Sequence, residues 1–218
     1  SIFTEAVHGG ERAARPDFTP VSTPIHHSVG YLYDDMADLD AVFGGQQAGY
    51  VYTRYGSPTV TAFERAVAGV EGAEDAVAFA SGMAAVHAAL LGAGVRAGTT
   101  VVSAADVYGA TYALLERSLS TLGVKTCFVD ITDLEEVRQA VGGEEPVAVL
   151  CETISNPLVK VADVPTLVEI AHGAGAALIV DNTFATPYLY RPLAHGADYV
   201  VHSATKYIGG HGDVMAGV

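Results

Sequence analysis

Lys206, Asp181, Tyr108 and Asn156, with the run Ser81-Gly82-Met83 and the hydroxyls of Ser203 and Thr205, are residues whose types could do chemistry together. Lys206 is one of only three lysines, beside Lys125 and Lys160. An amine, an acid, an aromatic ring, an amide and hydroxyls at a helix start meet the needs of pyridoxal phosphate chemistry. A lysine forms a Schiff base with the cofactor aldehyde. An acid holds the pyridine nitrogen protonated so that the ring accepts the electrons of a substrate carbanion, and the two opposite charges stabilise each other. An aromatic side chain stacks on the ring, and the phosphate takes a helix N-terminus and hydroxyls. Here Lys206, Asp181 and Tyr108 would fill the first three roles in that order. Ser81-Gly82-Met83 with Ser203 and Thr205 would hold the phosphate, and Asn156 would donate near the ring hydroxyl. Singly, each has an ordinary reading: a helix cap at Ser81-Gly82, a loop acid, a solvated lysine, a core-edge aromatic, a turn at Asn156-Pro157. The set carries the argument.

The elements that must position this set alternate along the chain. Ala76–Ala80, Thr100–Ser103, Lys125–Val129, Val147–Cys151, Ala177–Val180, Tyr199–His202 and Val214–Val218 read as strands. Between them Gly82–Leu91, Ala110–Leu119, Leu134–Val141 and Val164–His172 read as helices, and Ser57-Pro58 opens an earlier helix that Gly72 closes. Strands apolar on consecutive residues are buried on both faces. Strands separated by helices imply parallel pairing through right-handed crossovers, giving an α/β, three-layer, mostly parallel sheet of about seven strands. Ligands of open α/β sheets gather outside the carboxyl ends of the strands, and each residue singled out above lies just past such an end. Residues 1–56 show no long hydrophobic period and read as an N-terminal arm; residues 57–218 read as the ligand-binding domain.

Composition narrows the class. The 218 residues are 50% hydrophobic and 17% charged, with 25 acids against 11 bases and a net charge of −14. A disordered chain would be far less apolar, and a nucleic-acid binder would cluster Lys and Arg. No apolar run approaches the ~18 residues of a membrane helix. The N-terminal stretch, with Glu5 and Glu11, lacks a signal-peptide core, so a cytoplasmic location is expected. Cys127 and Cys151 sit in apolar runs and are expected to be buried free thiols, and the eight histidines show no metal-ligand spacing, so no metal is expected.

The sequence resembles the Cys/Met-metabolism pyridoxal-phosphate enzymes, a family that includes cystathionine γ-synthase, cystathionine γ- and β-lyases, O-acetylhomoserine sulfhydrylase and methionine γ-lyase. The likeness rests on Ser203-Ala204-Thr205-Lys206-Tyr207 followed by Gly209-Gly210-His211-Gly212-Asp213. It extends in order through Ala6–Gly10, Tyr52–Thr59, Ser81–Met83, Asp106–Thr111, Ser155–Pro157 and Asp181–Phe184. The resemblance implies the large domain of a fold-type I transferase, with pyridoxal 5′-phosphate bound to Lys206. It further implies that Lys206 shuttles protons, that Asp181 pairs with the pyridine nitrogen, and that Tyr108 stacks on the ring and protonates the leaving group. Amides of Gly82 and Met83, with Ser203 and Thr205, would hold the phosphate. Tyr52 and Arg54 would complete a neighbouring subunit's phosphate site in trans, within a homo-oligomer that is a dimer of dimers.

The expected activity is γ-elimination or γ-replacement on a homoserine-derived sulfur amino acid: cystathionine, methionine or an O-acylhomoserine. An aminotransferase of the same fold type, or a non-catalytic fragment lacking the arginine for the substrate carboxylate, is the alternative. Three positions depart from the family pattern. Ser57 stands for the usual Asn before Pro58. Ala110 stands where methionine γ-lyases carry a cysteine. Gly212 stands for the usual Ser before Asp213. The chain ends at Val218 where the family continues into a smaller C-terminal domain, so it reads as the cofactor-binding portion of something longer. Asn156-Pro157, in a turn beside the site, is expected to be a cis peptide.

Overall fold

Five short strands, most of them rich in consecutive apolar residues, pair into one parallel sheet. The computed structural model describes residues 19–218, so the Ala6–Gly10 match lies outside the described residues. The strands are β1 Thr100–Ala104, β2 Lys125–Val129, β3 Ala148–Glu152, β4 Ala177–Asp181 and β5 Tyr199–Val201, in the spatial order β2-β1-β3-β4-β5. Each neighbouring pair is parallel. The middle strand β3 is buried along its whole length, as a strand covered on both faces must be.

The helices are α1 Met36–Phe43, α2 Pro58–Glu71, α3 Gly82–Gly92, α4 Gly109–Ala113, α5 Leu134–Glu144, α6 Val164–Gly173 and the short α7 Thr186–Leu189. Alternate strand residues feed two separate cores. Val102, Val149, Leu178 and Val180 pack with Val137 and Val141 of α5 and Leu167 and Ala171 of α6. Val101, Leu150, Ile179 and Val201 pack with Val86 and Leu90 of α3 and with Leu115 and Leu119. The result is three layers, each sheet face closed by its own helices.

The sheet corrects one expectation. It has five strands, not about seven, because Ala76–Ala80 and Val214–Val218 do not form ladders. Phe79 and Gly217 meet in a single antiparallel bridge, exchanging bonds of 2.8 and 2.9 Å, and Val218 exchanges bonds of 2.9 and 3.1 Å with His202. Pairing stops there because Ser81 opens α3 on one side and Ala216 turns to bond Thr205 on the other. The helix expected over Ala110–Leu119 starts as α4 and widens into a π-helix over Leu114–Leu119. Helix α1 was not anticipated. It is only eight residues long and buries none of them, although Met36, Leu39 and Phe43 stand at helical spacing, and Asp35 caps it by accepting from the Ala37 amide at 2.8 Å.

The described residues divide into two compact units, the first ending at Ala62 and the second running Phe63–Val218, and the sheet lies wholly in the second. Among the described residues no helix is long and apolar enough to cross a membrane.

Candidate functional site

At the carboxyl ends of β1, β3, β4 and β5 the second unit holds a cavity of about 350 Å³, a size suited to a small ligand. Its lining includes Ser81, Gly82, Met83, Tyr108, Asn156, Asp181, Ser203, Thr205 and Lys206, so the structure brings nine of the sequence-expected residues to one place. Tyr52 and Arg54 belong to the first unit, where the Arg54 guanidinium lies 5.0 Å from the Tyr52 ring centre and 5.2 Å from that of Tyr55.

The anion-binding corner is built by α3. Ser81 takes an extended backbone conformation, and its hydroxyl accepts from the Ala84 amide at 3.2 Å, which caps the helix. The next amides, those of Gly82 and Met83, stand at the positive end of the helix and suit a phosphate. Gly82 has no room for a side chain: a Cβ there would lie 2.6 Å from the Ser203 Cβ and 2.8 Å from its Cα. That close approach brings the lysine loop onto the helix start.

Asp181 is the last residue of β4. The Thr183 backbone N–H and hydroxyl both donate to its Oδ1, at 3.0 and 2.5 Å, while Thr183 Oγ1 accepts from the Ser203 amide at 2.8 Å. Thr183 thus straps the acid to the lysine loop. Burial pushes the Asp181 carboxyl above the usual carboxylate range, against the lowering effect of the Thr183 bonds and of nearby His202. Among the described residues no protein group bonds its Oδ2. A partly buried acid that lines a cavity and keeps one oxygen unbonded is stabilised by a cationic partner, which is what a protonated ring nitrogen supplies.

Lys206 borders the cavity and is exposed. Its loop is held by its amide bond to Ser203 O at 3.0 Å. The Thr205 hydroxyl, expected on a phosphate, is bonded to the Ala216 backbone, donating to its oxygen at 3.1 Å and accepting from its amide at 3.0 Å. The Asn156-Pro157 peptide is cis, as expected. Beneath the site, His202 Nε2 and Glu71 Oε1 lie 2.6 Å apart, both residues almost fully buried. Asn182 donates to the same Glu71 oxygen at 3.1 Å and accepts from Thr153 at 2.7 Å. This network joins α2 to the ends of β3, β4 and β5.

Reading the sequence assigned no role to Glu152, Thr183, Phe184 or Met215, which also line the cavity. An acid as the last residue of an otherwise apolar strand was the available signal for Glu152. A hydroxyl two residues past Asp181 was the signal for Thr183.

The relatives fit this arrangement. L-methionine gamma-lyase of Fusobacterium nucleatum is 41% identical over 218 residues, covering all of this chain and 54% of that protein. Cystathionine gamma-lyase of Bacillus subtilis is 47% identical over 215 residues, covering 99% of this chain and 54% of that protein. The chain therefore spans about half the length of these relatives. A Campylobacter jejuni protein crystallised with N'-pyridoxyl-lysine-5'-monophosphate superposes with a TM-score of 0.83 at 33% identity, over 91% of this chain and 49% of that one. The model of one sequence family matches residues 3–218, nearly the whole chain. A cavity lined by a lysine, an acid at a strand end and a helix-borne anion corner suits pyridoxal phosphate, and the chain belongs to the Cys/Met metabolism PLP-dependent enzyme family.

Proposed function

We propose that this chain is the cofactor-binding portion of an enzyme acting by γ-elimination or γ-replacement on homoserine-derived sulfur amino acids. The observation that carries the reading is the convergence of Lys206, Asp181 and Tyr108 on one cavity whose corner is the start of α3. Pyridoxal phosphate, when bound, supplies the aldehyde for the lysine and substrate amines and the ring that accepts electrons from the substrate.

The protein's own residues supply the rest. The Gly82 and Met83 amides, with Ser203, hold the phosphate. Asp181 keeps a proton on the ring nitrogen through its free Oδ2. Tyr108 covers the ring, and its hydroxyl delivers a proton to the substituent leaving Cγ. Asn156 donates to the ring hydroxyl. Once the substrate amine has displaced it, the Lys206 amine takes the proton from Cα, hands it to the cofactor's aldehyde carbon, and so is free again to take one from Cβ. Addition of a thiol at Cγ is replacement. Release of a 2-oxo acid and ammonia is elimination.

Tyr52 and Arg54 are proposed to reach a second copy's phosphate in a homotetramer. The first unit supports this with apolar side chains left exposed, among them Ile25, Leu32, Met36 and Phe43. The free cysteines Cys127 and Cys151 fit a reducing, cytoplasmic setting.

The test loads the full chain with pyridoxal phosphate and follows visible absorbance with borohydride reduction. The bound absorbance is expected to be lost on reduction and absent in Lys206→Ala. A wild-type protein that stays colourless refutes the reading. With methionine, cystathionine and O-acetylhomoserine as substrates, ammonia with a 2-oxo acid marks elimination. A 2-oxo acid without ammonia would establish transamination instead.

A further inference from the structure

The sheet order β2-β1-β3-β4-β5 has one place where consecutive connections leave in opposite directions, between β1 and β3. Crevices open at such a switch point because the two loops diverge there. The loop after β1 carries Tyr108 and the loop after β3 carries Asn156, so the two residues proposed to flank the ring stand on opposite banks. One side chain spans the gap. Glu152 Oε1 accepts from the Tyr108 amide at 2.5 Å, and Glu152 Oε2 accepts from the Asn156 amide at 3.1 Å.

We propose that Glu152 is a positioning residue that sets the spacing of the crevice by holding the Tyr108 and Asn156 loops through their backbone amides; this rests on the cofactor reading above. Its place is costly. Glu152 is 7% exposed and sits opposite Asp181 in the β3–β4 register. Burial first, then the charges of Asp181 and Asp106, push its carboxyl up to about 7, while the two amide bonds pull the other way. A carboxylate accepts through both oxygens, whereas the glutamine amide has a single acceptor oxygen and would face the second N–H with a donor. An apolar side chain would leave both amides without a partner. The carboxylate is thus the group that closes both bonds at once.

The experiment compares wild type, Glu152→Gln and Glu152→Ala as full chains loaded with pyridoxal phosphate. Readouts are the visible circular dichroism of the bound ring, kcat and KM separately, and hydrogen exchange of the Tyr108 and Asn156 amides. Glu152→Gln is expected to keep its far-UV dichroism and its borohydride-reducible absorbance. Its visible dichroism should weaken at least about twofold, and kcat should fall about tenfold with little change in KM, as one loop is released. Glu152→Ala should exceed it on both counts. Visible dichroism and kcat within about twofold of wild type in Glu152→Gln would overturn the proposal. So would fast exchange of both amides in the wild type, a result that does not depend on either variant folding. A wild type that binds no cofactor refutes the cofactor reading itself, a different outcome from a normal wild type with an indifferent Glu152→Gln.

Discussion

Glu152→Gln also makes a stability prediction whose sign depends on pH. The carboxyl rises from an ordinary 4.5 in the unfolded chain to about 7 in the folded one, chiefly through burial. Below pH 4.5 both states carry the proton and the group costs nothing. As pH rises through the window from 4.5 to about 7, the unfolded state gives up its proton first, so the folded state is progressively disfavoured. Each pKa unit is worth about 1.4 kcal/mol, so the wild type loses ~3 kcal/mol from this group by the top of the window. Glutamine does not titrate, but it leaves one buried amide poorly paired, at a cost of about 1–2 kcal/mol. Urea unfolding of both proteins, followed by far-UV dichroism at steps from pH 5 to 8, isolates the effect, because every other titrating group is common to both. Glu152→Gln should be the less stable protein near pH 5 and the more stable one near pH 8. Parallel curves across that range would refute the reasoning. The crossover, together with impaired cofactor seating, would show a site residue kept at the expense of stability.

Three further outcomes are expected. Gly82→Ala places a Cβ 2.6 Å from the Ser203 Cβ and 2.8 Å from its Cα, so the lysine loop must shift. Overpacking of this kind costs about 1–3 kcal/mol, and absorbance titration should show weakened pyridoxal phosphate binding. Glu71→Ala leaves His202 and Asn182 buried without their shared acceptor, and denaturant unfolding should register a loss of about 3–5 kcal/mol. Thr183→Val removes both the hydroxyl bond to Asp181 and the acceptor for the Ser203 amide. Thermal unfolding should show about 1–3 kcal/mol of destabilisation from the orphaned amide, and cofactor affinity should fall with it.

The layered sheet was legible because β3 and β4 each run four apolar residues in succession, a pattern that suits a doubly covered strand. The bounds of β2, Lys125–Val129, coincide with the expected ones. The two missing strands were misread for the same reason: Ala76–Ala80 and Val214–Val218 are apolar in the same way, but whether an apolar run builds a ladder depends on a partner in register. Phe79 and Gly217 find one another for a single bridge. Helix α1 escaped because its apolar residues Met36, Leu39 and Phe43 span only eight residues, too short a run to show a sustained period.

By itself the sequence determined which residue types stand at the strand ends: Tyr108, Asn156, Asp181 and Lys206 each follow an apolar run, and the topology of a parallel sheet then sends them to one edge. Tertiary structure alone decided how they are held. Glu152 lies 44 residues from Tyr108 and Glu71 lies 131 from His202, and nothing local in the chain announces either pairing. Those contacts depend on strand order and register, which arise only when the layers pack. The sequence thus named the candidates for the chemistry, and the packed sheet selected the buried acids that keep them in place.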